Sequence, residues 1–95
     1  MQDLKSAKQV PEHDKKEKSS TREWLEYARN FRGMTQEQVA KELSITPSYY
    51  CFIERGKRKV KMDILFLYKL CDILQMDRDK ALKLEARWRE ALYAD

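Results

Sequence analysis

The chain has 95 residues, with 20 Lys and Arg against 16 Asp and Glu and a formal net charge of +4. A chain of this length forms one domain at most and buries only roughly two thirds of its unfolded surface, so a large enclosed active site is not expected. Only 2 Gly and 2 Pro interrupt a composition rich in helix-forming residues, which predicts an all-α fold.

The cysteines and the start of the chain indicate a cytoplasmic protein. Cys51 and Cys71 lie in helical patterns without a CxxC partner or a nearby His, so both are expected to be small buried apolar residues of a reduced protein. The longest apolar run, residues 64–68, is too short to span a membrane, and the N-terminus has no apolar signal segment. No metal, cofactor or membrane association is therefore expected.

Residues 1–20 predict a flexible arm, because they combine five Lys with four acids and carry few apolar residues. Order is expected to begin at Ser20, whose spacing to Glu23 matches a capping box. The first helix is then predicted to end at Gly33 and to turn one apolar face inward, made of Trp24, Leu25, Ala28 and Phe31.

The middle of the chain predicts two short helices joined by a tight turn. Thr35 and Gln38 have the spacing of a capping box at the start of the second helix. Thr46 followed by Pro47 marks the start of the third helix, and Gly56 marks its end. Two such helices in this order are typical of a helix-turn-helix DNA-binding unit.

The third helix has an inward and an outward side. Tyr50 and Ile53 are predicted to turn inward, which leaves Pro47, Ser48, Tyr49 and Phe52 on the outer side that would face a DNA major groove. The alternative for Tyr49 and Phe52 is packing against neighbouring helices. After this helix come five cations within seven residues and no acid, which predicts a focused positive patch: Arg55, Lys57, Arg58, Lys59 and Lys61.

Two further helices carry more apolar surface than a small core requires. The fourth is predicted from about Asp63 to Leu74, with an inward face of Ile64, Leu67, Leu70, Cys71 and Leu74. The fifth is predicted over about 77–93, with a stripe of Ala81, Leu84, Trp88, Ala91 and Leu92. This stripe either covers the fourth helix within one chain or pairs with a second chain. The residues expected to contribute to dimerisation are Leu65, Phe66, Tyr68, Leu84, Trp88 and Leu92.

With Arg29, GMTQEQVA, ITPSYY, IERGKR and KLCDIL in this order, the chain resembles the helix-turn-helix family of Cro and phage repressors, also called the XRE family, over roughly residues 22–77. The resemblance implies a five-helix bundle in which residues 21–76 form the DNA-binding domain. The flexible arm would precede this domain, and a C-terminal helix over residues 77–95 would pack on it or dimerise.

The resemblance also assigns roles to individual residues. It implies base contacts from the start of the second helix and the outer side of the third, at Gln36, Thr46, Pro47, Ser48, Tyr49 and Phe52. It implies phosphate contacts from the positive patch at residues 55–61, which is the cationic loop of this fold. It also implies a structural ion pair between Arg29 and Glu54. Two departures are Ser44 in the turn and Gln75 after the fourth helix, where the family often has Gly.

The function expected from these features is sequence-specific DNA binding by a transcription regulator, a repressor acting as a homodimer on an operator with two half-sites. Its partners would be double-stranded DNA, a second copy of the chain and a regulatory protein. The alternative is a protein-interaction module of the antitoxin or antirepressor-partner type with the same fold. An enzyme is not expected, because no nucleophile, base or metal cluster converges in the sequence.

Overall fold

The structure is a computed structural model that describes residues 20–57 and 62–92. These residues form five helices and contain no strand, which confirms the all-α prediction: α1 Glu23–Phe31, α2 Gln36–Leu43, α3 Pro47–Arg55, α4 Ile64–Leu74 and α5 Arg78–Leu92. The predicted flexible arm up to residue 19 lies outside the described residues. Within the described ranges, no helix combines the length and the apolar character needed to cross a bilayer.

Short-range side-chain caps fix where four of these helices begin, namely α2, α3, α4 and α5. The Thr35 hydroxyl accepts a hydrogen bond from the Gln38 backbone N–H over 3.1 Å, and the Gln38 side chain accepts one from the Thr35 N–H over 2.8 Å. The Asp63 carboxylate accepts from the Phe66 N–H over 2.8 Å, so α4 begins where the sequence predicts. Asp77 plays the same part before α5, where its carboxylate accepts from the Lys80 N–H over 2.9 Å. Each bond satisfies a backbone donor that a helix start leaves unpaired.

The core lies between α4 and the helices packed around it. The α2 helix packs against α3 and α4, α1 packs against α3, and α5 packs against α4. The α5 helix therefore contributes to the core of a single chain. The buried apolar residues are Leu25, Val39, Ala40, Tyr50, Ile53, Met62, Leu67, Leu70, Cys71, Leu74 and Ala81.

The start of α1 differs from the predicted capping box at Ser20 and Glu23. The helix begins one residue after Arg22, which provides no side-chain cap. Glu23 is therefore the first helical residue instead of the third. The Ser20 hydroxyl instead donates to the Arg55 carbonyl oxygen over 2.6 Å. The prediction was wrong because a distant helix end competes for that hydroxyl.

Three predicted inward residues are more exposed than expected. Phe31 is 79% exposed because it lies in the last turn of α1, where it stacks on Tyr27 beside an open groove. Ile64 is 51% exposed at the first position of α4, ahead of the turns that contact the core. Cys71 is buried as predicted, whereas Cys51 is only half-buried.

Candidate nucleic-acid interface

The turn between α2 and α3 holds the two helices in a fixed arrangement. Ser44 ends α2 in the left-handed region with φ of 60°, and the Ile45 N–H donates to the Ala40 carbonyl oxygen over 3.0 Å. Two residues later the Thr46 hydroxyl accepts from the Tyr49 N–H over 3.1 Å and caps α3. Only three residues separate the helices, so the start of α3 is positioned directly by the end of α2.

The outer side of α3 is open to solvent, as the sequence predicts. Tyr50 and Ile53 are fully buried, and they orient the helix. Tyr49 and Phe52 are 42% and 43% exposed, so neither is enclosed by neighbouring helices. Pro47, Ser48 and the cap Thr46 are exposed on the same end of the helix. The face therefore offers two aromatic rings and three small side chains, two of which carry hydroxyl groups.

Glu54 on the inner side of α3 is the centre of a buried cluster. It is 2% exposed and accepts from Arg29 Nε over 2.6 Å and from Arg29 Nη2 over 3.2 Å, so the predicted ion pair is present. Gln36 Nε2 donates to the same carboxylate over 2.8 Å, as does the Tyr50 hydroxyl. Arg29 also donates to the Met34 carbonyl oxygen over 2.8 Å. The cluster ties α3 to α1 and to the first residue of α2.

The electrostatics of this cluster favour a charged Glu54. Burial raises the pKa of the Glu54 carboxyl, but the hydrogen bonds from Arg29, Gln36 and Tyr50 outweigh it, and the pKa lies below its ordinary value. Burial and the neighbouring Glu54 charge raise the pKa of Tyr50. The hydrogen bond to Glu54 raises the pKa of Arg29. All three groups therefore keep their neutral-pH protonation states.

Gln36 has a contact that the resemblance does not supply. Its amide N–H donates to Glu54, so the side chain is held against the inner side of α3 near the C-terminus of that helix. The structure brings Gln36 into the Glu54 cluster, at the N-terminus of α2. Its assignment to base contact stays a prediction.

The described part of the cationic loop begins at the C-terminal end of α3. Arg55 and Lys57 are both exposed there, and the remaining predicted cations, Arg58, Lys59 and Lys61, lie outside the described residues. Gly56 separates Arg55 from Lys57 with φ of 72°. A Cβ at Gly56 would collide with the Ser20 carbonyl oxygen and the Trp88 ring, so only glycine fits this junction.

A second buried cluster, which was not predicted from the sequence, joins α5 to this junction. Arg22 and Glu85 are 3% and 5% exposed and form an ion pair with Nε to Oε1 of 2.9 Å. Trp24 Nε1 donates to Glu85 over 3.0 Å, and Arg89 Nε donates to it over 2.8 Å. The available signal in the sequence was the charge of Glu85, which lies four residues after the buried Ala81 and so on the same face of α5. Since buried charges in proteins are paired, this position indicates an unidentified partner. The partner lies 63 positions away and no spacing indicates it.

The residues predicted to contribute to dimerisation differ in their exposure and in their contacts within the chain. Leu65 is 70% exposed and lies next to the exposed Ile64. Tyr68 is half-buried under the Arg78 guanidinium, which lies 4.3 Å from the ring centroid. Trp88 donates its indole N–H to the Thr21 carbonyl oxygen over 3.0 Å within the same chain. The remaining three are half-buried, namely Phe66, Leu84 and Leu92.

Comparison with known proteins gives one family and one relative. The Helix-turn-helix family profile matches residues 25–80, more than half of the chain. The uncharacterized HTH-type transcriptional regulator YqaF of Bacillus subtilis (strain 168) is 50% identical over 38 residues, which are 40% of this chain and 50% of that protein. The match thus spans about half the length of this curated relative. No solved structure was found to match the chain.

Proposed function

This chain belongs to the helix-turn-helix family of the Cro and phage-repressor type, and we propose on that basis that it is a DNA-binding transcription regulator. In this proposal the α3 helix enters the major groove of operator DNA. The protein acts in the cellular compartment that holds this DNA. The similar protein YqaF is named as an HTH-type transcriptional regulator, which supports the same class of function.

The observation that carries the proposal is the exposed side of α3. Its exposed residues have no structural task in the core, whereas Tyr50 and Ile53 on the opposite side are fully buried. A helix that follows a tight turn and presents its N-terminal residues outward has the geometry of a recognition helix.

The chemistry of this side predicts what kind of sequence it prefers. Its four outward positions, at Pro47, Ser48, Tyr49 and Phe52, hold no Arg, Lys, Asn or Gln, the residues that make bidentate contacts to guanine or adenine. Tyr49 and Phe52 instead offer apolar surface to the methyl groups of thymine, and Ser48 and Tyr49 offer hydroxyls to base edges. We therefore propose an operator rich in thymine at the positions that α3 contacts.

Affinity comes from the cationic loop in this proposal. Lys and Arg side chains neutralise phosphates and release counterions, which adds affinity without sequence preference. Arg55 and Lys57 are exposed at the C-terminal end of α3, so the phosphates they contact would border the groove that α3 occupies. Arg58, Lys59 and Lys61 complete the set of five cations.

We further propose that the chain is a repressor that binds operator DNA as a homodimer. Two recognition helices about 34 Å apart would reach successive major grooves on one face of the duplex. Ile64 and Leu65 support this assembly, because two large apolar side chains stand exposed side by side at the start of α4. Repression would follow from occlusion of a promoter by the bound dimer, and a regulatory protein partner would relieve it.

A salt titration of DNA binding tests the proposal and separates it from a protein-interaction module. The intact chain is titrated into a labelled mixed-sequence duplex, and fluorescence anisotropy is recorded over a series of salt concentrations. A DNA-binding regulator shows a steep linear fall of log K with log salt, about 0.9 for each phosphate contacted. Absence of binding at low salt would contradict the proposal and favour the interaction module.

A further inference from the structure

The carbonyl groups at the end of α3 are bound by Ser20 and Arg22, two of the three residues that precede α1. The Arg22 side chain donates to the Ile53 carbonyl oxygen over 2.5 Å, and the Arg22 backbone N–H donates to that of Glu54 over 2.7 Å. The Ser20 hydroxyl donates to the carbonyl oxygen of Arg55. The last carbonyls of a helix have no partner within it, and a cation there complements the helix dipole. Within the segment 20–22, Ser20 and Arg22 thus fix the end of α3.

This segment is in turn held by α5. The Arg22 guanidinium forms the ion pair with Glu85 and lies over the Trp88 ring, 4.3 Å from its centroid. The indole N–H of Trp88 holds the Thr21 carbonyl oxygen. Gly56, where α3 ends and the cationic loop begins, packs so tightly against Ser20 and Trp88 that no Cβ would fit. The first end of the loop is therefore enclosed by the segment and by α5.

Glu85 also reaches the second end of the loop. Arg89 Nε donates to Glu85 over 2.8 Å, and Arg89 Nη2 donates to the Met62 carbonyl oxygen over 3.0 Å. Met62 is buried and directly follows the cationic loop. One carboxylate thus holds two arginines, of which Arg22 binds the end of α3 and Arg89 binds the residue after the loop.

We propose that Glu85 is a positioning residue for DNA binding: through Arg22 it fixes the C-terminal end of α3, which carries Arg55 and Lys57, and through Arg89 it fixes Met62. The inference rests on the proposed function. Glu85 would not touch DNA; it would hold Arg55 and Lys57 where they meet phosphates while α3 lies in the groove. Arg22, Glu85, Trp88 and Arg89 all lie outside residues 25–80, so the family match does not assign this role.

Glu85→Gln distinguishes a change in net charge from a loss of positioning, because the two effects predict opposite changes in affinity for DNA. This substitution raises the formal net charge above +4, so general electrostatics predicts tighter binding to DNA. Positioning predicts binding that is severalfold weaker on a labelled mixed-sequence duplex, with a salt slope shallower by about one unit because a loop contact is lost. The control is Glu90→Gln, which makes the same charge change at an exposed position of α5 and should not weaken binding.

A second pair of variants decides the matter even where Glu85→Gln fails to fold. The Arg89 side chain is 49% exposed, so Arg89→Met keeps its apolar stem and removes the bond to Met62 without opening the core. Its control is Arg87→Met, an equal loss of charge at an exposed position of the same helix. Arg89→Met should weaken binding more than Arg87→Met and speed amide hydrogen exchange at Met62 and Asp63.

The outcomes separate this inference from the proposed function. Glu85→Gln that folds and binds as tightly as wild type with an unchanged slope would overturn the positioning role, as would equal effects of Arg89→Met and Arg87→Met. In both cases the wild-type chain still binds DNA. Absence of wild-type binding would instead overturn the proposed function on which the inference rests.

Discussion

Glu54→Gln is expected to destabilise the chain strongly, because Glu54 is buried and accepts four hydrogen bonds. Each carboxylate oxygen accepts two of them: Oε2 from Arg29 and Tyr50, and Oε1 from Arg29 and Gln36. Whichever oxygen is replaced by the amide nitrogen of Gln, the two groups that donated to it lose their acceptor and face another donor. The Arg29 side chain is only 11% exposed and loses its counter-charge.

The size of this effect follows from the burial of the pair. Breaking a buried ion pair from one side costs about 3 to 5 kcal/mol, and the residual exposure of Arg29 places the expected loss near the lower end, about 3 kcal/mol. A loss of about 3 kcal/mol lowers the melting temperature of a domain of this size by roughly 12 to 24 °C. Thermal unfolding followed by circular dichroism measures it, with Glu42→Gln on the exposed side of α2 as the control.

The pH dependence supplies an independent check on the same variant. The pKa of Glu54 is lowered in the folded chain, so its stabilisation is present above the ordinary carboxyl pKa of 4.5 and is lost as the pH falls through the lower folded value. The difference between wild type and Glu54→Gln should therefore shrink in acid. A melting temperature within a few degrees of wild type at neutral pH would refute the reasoning, because no buried charge would then have lost its partner.

Three further predictions concern the turn, the reading side and assembly. Ser44→Gly should raise the free energy of unfolding in urea by up to about 1 kcal/mol, because it removes a Cβ from a left-handed residue. A free energy of unfolding below that of wild type would show that the Ser44 backbone is unstrained. Ser48→Ala and Tyr49→Phe should change the ranking of operator sequences in anisotropy titrations, whereas Lys57→Ala should weaken all duplexes alike and make the salt slope shallower by about one unit. Equal losses on every duplex for the first two would contradict the assignment of the reading side. Leu65→Glu should give a monomer near 11.5 kDa in sedimentation at concentrations where wild type is a dimer, and a wild-type monomer with DNA present would contradict the dimer.

The parts of the fold that sequence predicts well are those set by near neighbours. Thr35 with Gln38, Thr46 with Pro47, and Asp63 each mark a helix start through contacts within a few residues, and all three starts are confirmed. The same logic fails at Ser20, whose hydroxyl bonds to a carbonyl 35 positions away. A capping box is therefore a reliable signal only where no distant acceptor competes.

The candidate site divides in the same way between local and distant contacts. The exposed side of α3 follows from helical periodicity, because Tyr50 and Ile53 fix which residues face outward. The pair of Arg29 and Glu54 came from a family resemblance, since 25 positions separate its members. Arg22 and Glu85 had neither periodicity nor resemblance to connect them, and only the packing of α5 brings them together.

Selection of bound fragments from random DNA by the intact chain tests the central claim most directly. Two copies of α3 in successive major grooves predict an enriched inverted repeat, with half-site centres about 10 base pairs apart and thymine at the contacted positions. Enrichment of a single half-site would contradict the dimer while leaving the reading helix in place. A selected pool with no enriched sequence would contradict the claim that the exposed side of α3 reads DNA.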